Sequence, residues 1–140
     1  MKILIIHGPN LNLLGVREPM IYGTKTQNEL ICFVKNCFSD INFSFFQSNH
    51  EGKIIDKIHQ SIDIVDALII NPGAFAHYSY AIRDAISATS LLTIEVHLSN
   101  VFKREEFRKN LVISDVCKAT ISGKGIDGYL EAVNKIKEII

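Results

Sequence analysis

The stretch MKILIIHGPN (residues 1–10) decides how the rest of the chain is read. Residues 3–6 are an unbroken apolar run, three of the four isoleucine, as expected of a strand covered on both faces; a strand with one wet face alternates instead. Gly8-Pro9 then ends the run. Such a strand calls for helices above and below its sheet, and the following segments supply them. Thr26-Gln27-Asn28-Glu29 has the S/T-x-x-E form of a capping box. Leu30, Phe33, Val34, Cys37, Phe38 and Ile41 recur behind it at helical spacing and make one apolar face. Residues 43–49 (FSFFQSN), 66–73 (DALIINPG), 91–99 (LLTIEVHLS) and 118–123 (KATISG) read as four further strands. Residues 52–62, 77–89 and 128–140 read as helices, with a short helical turn over 104–109. This alternation predicts one α/β domain over residues 1–140, a flavodoxin-like three-layer fold with a five-stranded parallel sheet.

Composition narrows the function. Fifteen Lys and Arg are balanced by fifteen Asp and Glu, so there is no electrostatic footprint for nucleic acid or an acidic membrane, and self-association is eased. The four-residue apolar run at the start is too short for a signal-peptide core or a membrane span. Cys32, Cys37 and Cys117 are odd in number and lack C-x-x-C spacing, which points to a reducing, cytoplasmic setting. No two histidines stand at i, i+4, no carboxylate–histidine set has ligand spacing, and neither a Walker A motif nor G-x-G-x-x-G follows the first strand. Neither a metal site nor a nucleotide-phosphate site is therefore expected. A signalling receiver of the same fold would need acids after strand one and an aspartate after strand three; the chain has Gly-Pro-Asn and Asn-Pro-Gly there.

In open parallel sheets ligands bind outside the carboxyl ends of the strands. Three polar clusters fall at that edge: Asn10, Asn12, Arg17 and Tyr22 after strand one; Asn71 and His77 after strand three; Glu95, His97 and Ser99 at the end of strand four. Thr93, Glu95, His97 and Ser99 share one face of strand four. A buried row of that kind is costly without partners, so it reads either as a wet edge strand or as a site in which Glu95 orients His97 as a proton donor. Arg17 and Tyr22 could form a base, since a nearby guanidinium favours a tyrosine anion; an isolated arginine and tyrosine in a loop are more often surface or packing residues. His77 and Asp84, seven apart on the third helix, share a face, although Asp84 could pair with a neighbouring arginine. His50 and His59 have no supporting constellation.

The blocks GPNLNLLGVREPMIYG, QSNHEGKIIDKIHQ, INPGAFAHYSYAIRDAI, EVHLSN, REEFR and GKGIDGY together resemble the type II 3-dehydroquinate dehydratases over nearly the whole chain. The resemblance implies a flavodoxin-like homododecamer built from trimers. It implies dehydration of 3-dehydroquinate to 3-dehydroshikimate in the shikimate pathway, by anti elimination through an enolate without metal, cofactor or Schiff base. By the same resemblance, Tyr22 is the base, held as its anion by Arg17, and Asn10 stabilises the enolate. His97 is the acid, supported by Glu95. Leu98 (through its backbone) and Ser99 hold the substrate carboxylate, and Asn71, His77 and Arg108 bind substrate. Asp84 reaches a neighbouring subunit's site. Residues 11–23 form a lid that carries Arg17 and Tyr22 and shuts out water. The chain departs from the family pattern at His7 (usually asparagine), Ala76, Tyr78, Tyr80 and Leu111.

Overall fold

The computed structural model describes all of residues 1–140. Five strands, β1 (Lys2–His7), β2 (Asn42–Gln47), β3 (Ala67–Asn71), β4 (Leu92–His97) and β5 (Ala119–Ser122), pair in parallel in the order β2-β1-β3-β4-β5. That is the flavodoxin-like order expected. The helices are α1 (Pro19–Tyr22), α2 (Gln27–Cys37), α3 (Glu51–His59), α4 (Tyr80–Thr89) and α5 (Asp127–Ile139).

The apolar run of β1 shows why the fold needs two helical layers. Ile3 and Ile5 face Leu30 and Val34 of α2 and Ala132, Val133 and Ile136 of α5. Leu4 and Ile6 face Ile54 and Ile58 of α3 and Ile82 and Ile86 of α4. Each fully buried side chain of this size contributes about 1.5–3 kcal/mol, so both layers are anchored by one continuous strand. The capping box closes α2 as expected: Thr26 Oγ1 accepts from the Glu29 N–H at 3.2 Å, and Glu29 Oε2 accepts from the Thr26 N–H at 2.8 Å.

Strand register gathers the site. His7 is level with Asn71 across β1 and β3, and Ile70 is level with Glu95 across β3 and β4. The loops after β1 and β3 then touch. Gly8 donates its N–H to the Asn71 carbonyl at 2.8 Å, and a Cβ on Gly8 would sit 2.2 Å from the Pro72 oxygen. Only glycine fits there.

Two expectations need correction. The third helix does not begin at His77: a 3-10 turn covers Gly73–His77, and α4 starts at Tyr80. Ser79 is the reason, since its Oγ accepts from the Ile82 N–H at 3.0 Å and makes it the better N-cap. His77 and Asp84 therefore do not share a helix face. In the segment after β1, Leu11–Leu13 forms a 3-10 turn and Pro19–Tyr22 the short α1. Leu11 and Leu14 are buried in the core beside α2, which fixes the front of that segment. The helical turn expected over 104–109 is a 3-10 turn confined to Glu106–Lys109. All three cysteines are free, and no helix is long and apolar enough to cross a membrane.

Candidate active site

A cavity of about 150 Å³ opens at the carboxyl edge of the sheet. Its lining includes Asn10, Arg17, Tyr22, Asn71, His77, His97, Leu98, Ser99, Arg104 and Arg108. Segments separated by as many as 99 positions in sequence, Pro9 to Arg108, thus meet around one space, because parallel strands deliver their ends to the same side.

β4 lies inside the sheet between β3 and β5, so the alternative of a wet edge strand does not hold. Glu95 is 0% exposed, and its carboxylate finds three donors. Oε1 accepts from His97 Nε2–H at 2.8 Å, and Oε2 accepts from Thr120 Oγ1 at 3.1 Å and from Ser114 Oγ. A buried carboxylate is tolerated on those terms. With Nε2 committed to Glu95, Nδ1 of His97 is the ring nitrogen without a protein partner. The ring is held for chemistry at that atom.

His77 stacks on His97 with ring centroids 6.5 Å apart, and Phe107 meets its edge at 5.6 Å. Its Nδ1–H donates to the Asn110 carbonyl at 2.9 Å. Burial pulls the His77 pKa below the ordinary histidine value, the Asn110 bond opposes this, and the neighbouring His97 and Arg108 add to the lowering. A neutral His77 offers Nε2 as an acceptor.

Tyr22 is the point where two guanidinium groups converge. Arg17 Nη2 donates to its hydroxyl oxygen at 3.0 Å and Arg104 Nη1 at 2.8 Å. Both also approach the ring, Arg17 at 4.2 Å and Arg104 at 5.1 Å from its centroid. As a phenol this oxygen has two acceptor positions, and both are taken. As an anion it gains a third, which is free to receive a proton. Arg104 Nη1 also donates to Ser99 Oγ at 3.1 Å, so one side chain ties the tyrosine to the end of β4. Neither the Leu98 nor the Ser99 backbone N–H donates to another protein group. With Arg104 at Ser99 Oγ and Arg108 lining the same cavity, those two donors are free to receive an anion.

The structure therefore brings Asn10, Arg17, Tyr22, Asn71, His77, His97, Leu98, Ser99 and Arg108 to one cavity, with Glu95 behind His97. Asn12 and Asp84 are not among its walls. Asn12 accepts weakly from Gln47 Nε2 at 3.4 Å, and Asp84 is exposed and paired with Arg83 at 3.3 Å. Arg104 is the residue the sequence reading passed over. It stood in the quoted block REEFR, but the Val101–Lys103 turn that swings it back over the cavity is a 3-10 element with no periodic signal. Ser114 and Thr120 were missed because nothing local marks them as partners of Glu95.

The family model "Dehydroquinase class II" matches residues 1–137. A 3-dehydroquinate dehydratase of Caldicellulosiruptor saccharolyticus is 54% identical over 142 aligned positions, covering 99% of this chain and 98% of that protein. The crystal structure of a type II dehydroquinase from Butyrivibrio crossotus superposes with a TM-score of 0.95 at 48% identity, covering 98% of this chain and 97% of that one. A type II dehydroquinase structure from Propionibacterium acnes gives 0.93 at 38% identity, covering 98% and 96%.

Proposed function

The chain belongs to the class II dehydroquinase family and acts as a hydro-lyase on 3-dehydroquinate, and we propose that the reaction runs through an enolate with Tyr22 as base and His97 as acid. The observation that carries this assignment is the convergence of Arg17 and Arg104 on the Tyr22 oxygen at 3.0 and 2.8 Å. The substrate carboxylate binds the Leu98 and Ser99 N–H groups, with the positive charge of Arg104 and Arg108 close by. Tyr22 takes the proton next to the ketone, and the electron pair of that C–H bond moves into the enolate. Asn10 lines the same space and supplies a donor to the enolate oxygen. As the enolate collapses, the C–O bond to the departing hydroxyl breaks anti to the lost proton. His97 gives that oxygen its proton from Nδ1, so the group leaves as water. The anion of Glu95 behind His97 keeps Nδ1 aimed at the substrate throughout. Asn71, His77 and Arg108 hold the remaining polar groups, and no step calls for a metal or an organic cofactor.

The proposed lid over residues 11–23 is anchored at its front by the core residues Leu11 and Leu14, which leaves residues 15–23 to move. Gly15 and Gly23 frame that stretch with φ of 87° and 80°, conformations that favour glycine. Between them the lid carries Arg17 and Tyr22, so closing it brings the base to the substrate and shuts out water. The working assembly is a homododecamer of trimers in which Asp84 serves a neighbouring site. The exposure of Asp84 outside its own cavity and the balanced net charge support that reading. The three free cysteines support a cytoplasmic location.

Purified protein treated with EDTA and given 3-dehydroquinate tests the function directly. The conjugated enone product should appear as rising ultraviolet absorbance. Binding of the substrate without product would leave a binding module and refute the catalytic reading.

A further inference from the structure

We propose that His7 and Tyr129 are positioning residues for the substrate: they fix the side-chain amide of Asn71 so that it presents an N–H to the cavity. This rests on the reading of Asn71 as a substrate-binding residue. Asn71 ends β3 and lines the cavity. His7 ends β1 level with it, and Tyr129 comes up from α5, fully buried. The three groups make one chain of hydrogen bonds across a separation of 122 residues: Asn71 Nδ2 to Tyr129 Oη at 3.3 Å, and Tyr129 Oη to His7 Nε2 at 2.9 Å.

The direction of that chain is determined at its Asn71 end. Asn71 Oδ1 accepts from the Gly73 N–H at 3.2 Å. A flipped amide would set its NH₂ against that donor, so the nitrogen must face Tyr129. The tyrosine hydroxyl accepts from Nδ2 and bonds His7 Nε2 at 2.9 Å, the hydrogen coming from ring or hydroxyl according to the His7 tautomer. His7 is a neutral ring in either tautomer, and its buried Nδ1 has no hydrogen-bond partner. The surroundings agree: burial lowers the His7 pKa to about 4 and raises that of Tyr129, so one stays neutral and the other keeps its proton. One Nδ2 hydrogen of Asn71 is committed to Tyr129, and the second is left for an oxygen of the substrate. His7 and Tyr129 touch neither Tyr22 nor His97 through any hydrogen bond, so their hydrogen-bonded route to the cavity is Asn71.

Steady-state kinetics of Tyr129→Phe and His7→Leu, each in the wild-type and the Asn71→Ala background, test this. Each substitution should raise KM for 3-dehydroquinate by roughly three- to tenfold, the effect of one lost or misaligned hydrogen bond, with kcat changed less. On Asn71→Ala the same substitutions should add less than about twofold, because their route is gone. Unchanged KM in both variants, or effects that persist in full on Asn71→Ala, would overturn the inference and leave the role of Asn71 standing. An Asn71→Ala protein with wild-type KM would remove Asn71 from binding and the inference with it. Tyr129→Phe keeps the ring in the core, so it carries the test if His7→Leu does not fold.

Discussion

Replacing Arg104 by glutamine should impair catalysis in a way that replacing Arg17 does not. Arg104 Nη1 donates both to the Tyr22 oxygen at 2.8 Å and to Ser99 Oγ at 3.1 Å. Arg17 shares the first task at 3.0 Å but otherwise reaches only the exposed Glu18. A hydrogen bond to a charged group contributes about 1.5–3 kcal/mol, and each 1.4 kcal/mol is a factor of ten. Losing one guanidinium from the Tyr22 anion should therefore lower kcat by roughly 10- to 150-fold in either variant. Only Arg104→Gln also loosens the carboxylate end, so its KM should rise by a further factor of roughly 3 to 10, while Arg17→Gln keeps KM near that of the wild type. The assay is initial-rate formation of the enone over a range of 3-dehydroquinate concentrations, with thermal melts to show that both variants are folded. If Arg104→Gln kept kcat within about twofold of wild type, Tyr22 would not depend on that guanidinium and the assignment of the base would lose its main support.

Two further outcomes follow from burial. The His7 pKa is about 4 in the folded protein against 6.5 for a free histidine, so the unfolded chain binds more protons between those values. Stability is full above about pH 6.5 and falls as the pH drops towards 4, by about 3 kcal/mol from this residue. His77 acts in the same direction. Denaturant melts of wild type and His7→Gln should converge as the pH is lowered across this window; parallel curves would show that His7 is not buried neutral. Cys117 lies among apolar neighbours near Glu95 and Asp115, and burial first, then those charges, raise its pKa. Iodoacetamide at pH 8 should leave Cys117 unmodified in the folded protein; labelling at the rate of a free thiol would contradict its placement.

The layers of the fold were legible because local signals agreed with the tertiary answer. The unbroken run in β1 meets helices on both faces, and the Thr26–Glu29 box caps α2. The pairing of Glu95 with His97 was likewise visible from strand alternation, since two residues on one face of a strand are neighbours. What escaped was contact between segments without periodicity. Arg104 reaches Tyr22 across 82 positions from a 3-10 turn, and Ser114 reaches Glu95 from another. The start of α4 was misplaced because Pro72, Gly73 and Ser79 compete as boundary signals, and only the geometry of the Ser79 cap decides among them. Tyr129 reads from sequence as one more apolar position on α5; its hydroxyl matters only once β1 and β3 are seen side by side.

The central claim is that Tyr22, held by two arginines, removes the proton that starts the elimination. Tyr22→Phe deletes the oxygen and keeps the ring against Arg17 and Arg104. Calorimetric binding and turnover of 3-dehydroquinate, measured on the same folded sample, should show retained binding with turnover lowered at least about 10³-fold, the scale of a lost general base. Turnover near the wild-type rate would contradict the account.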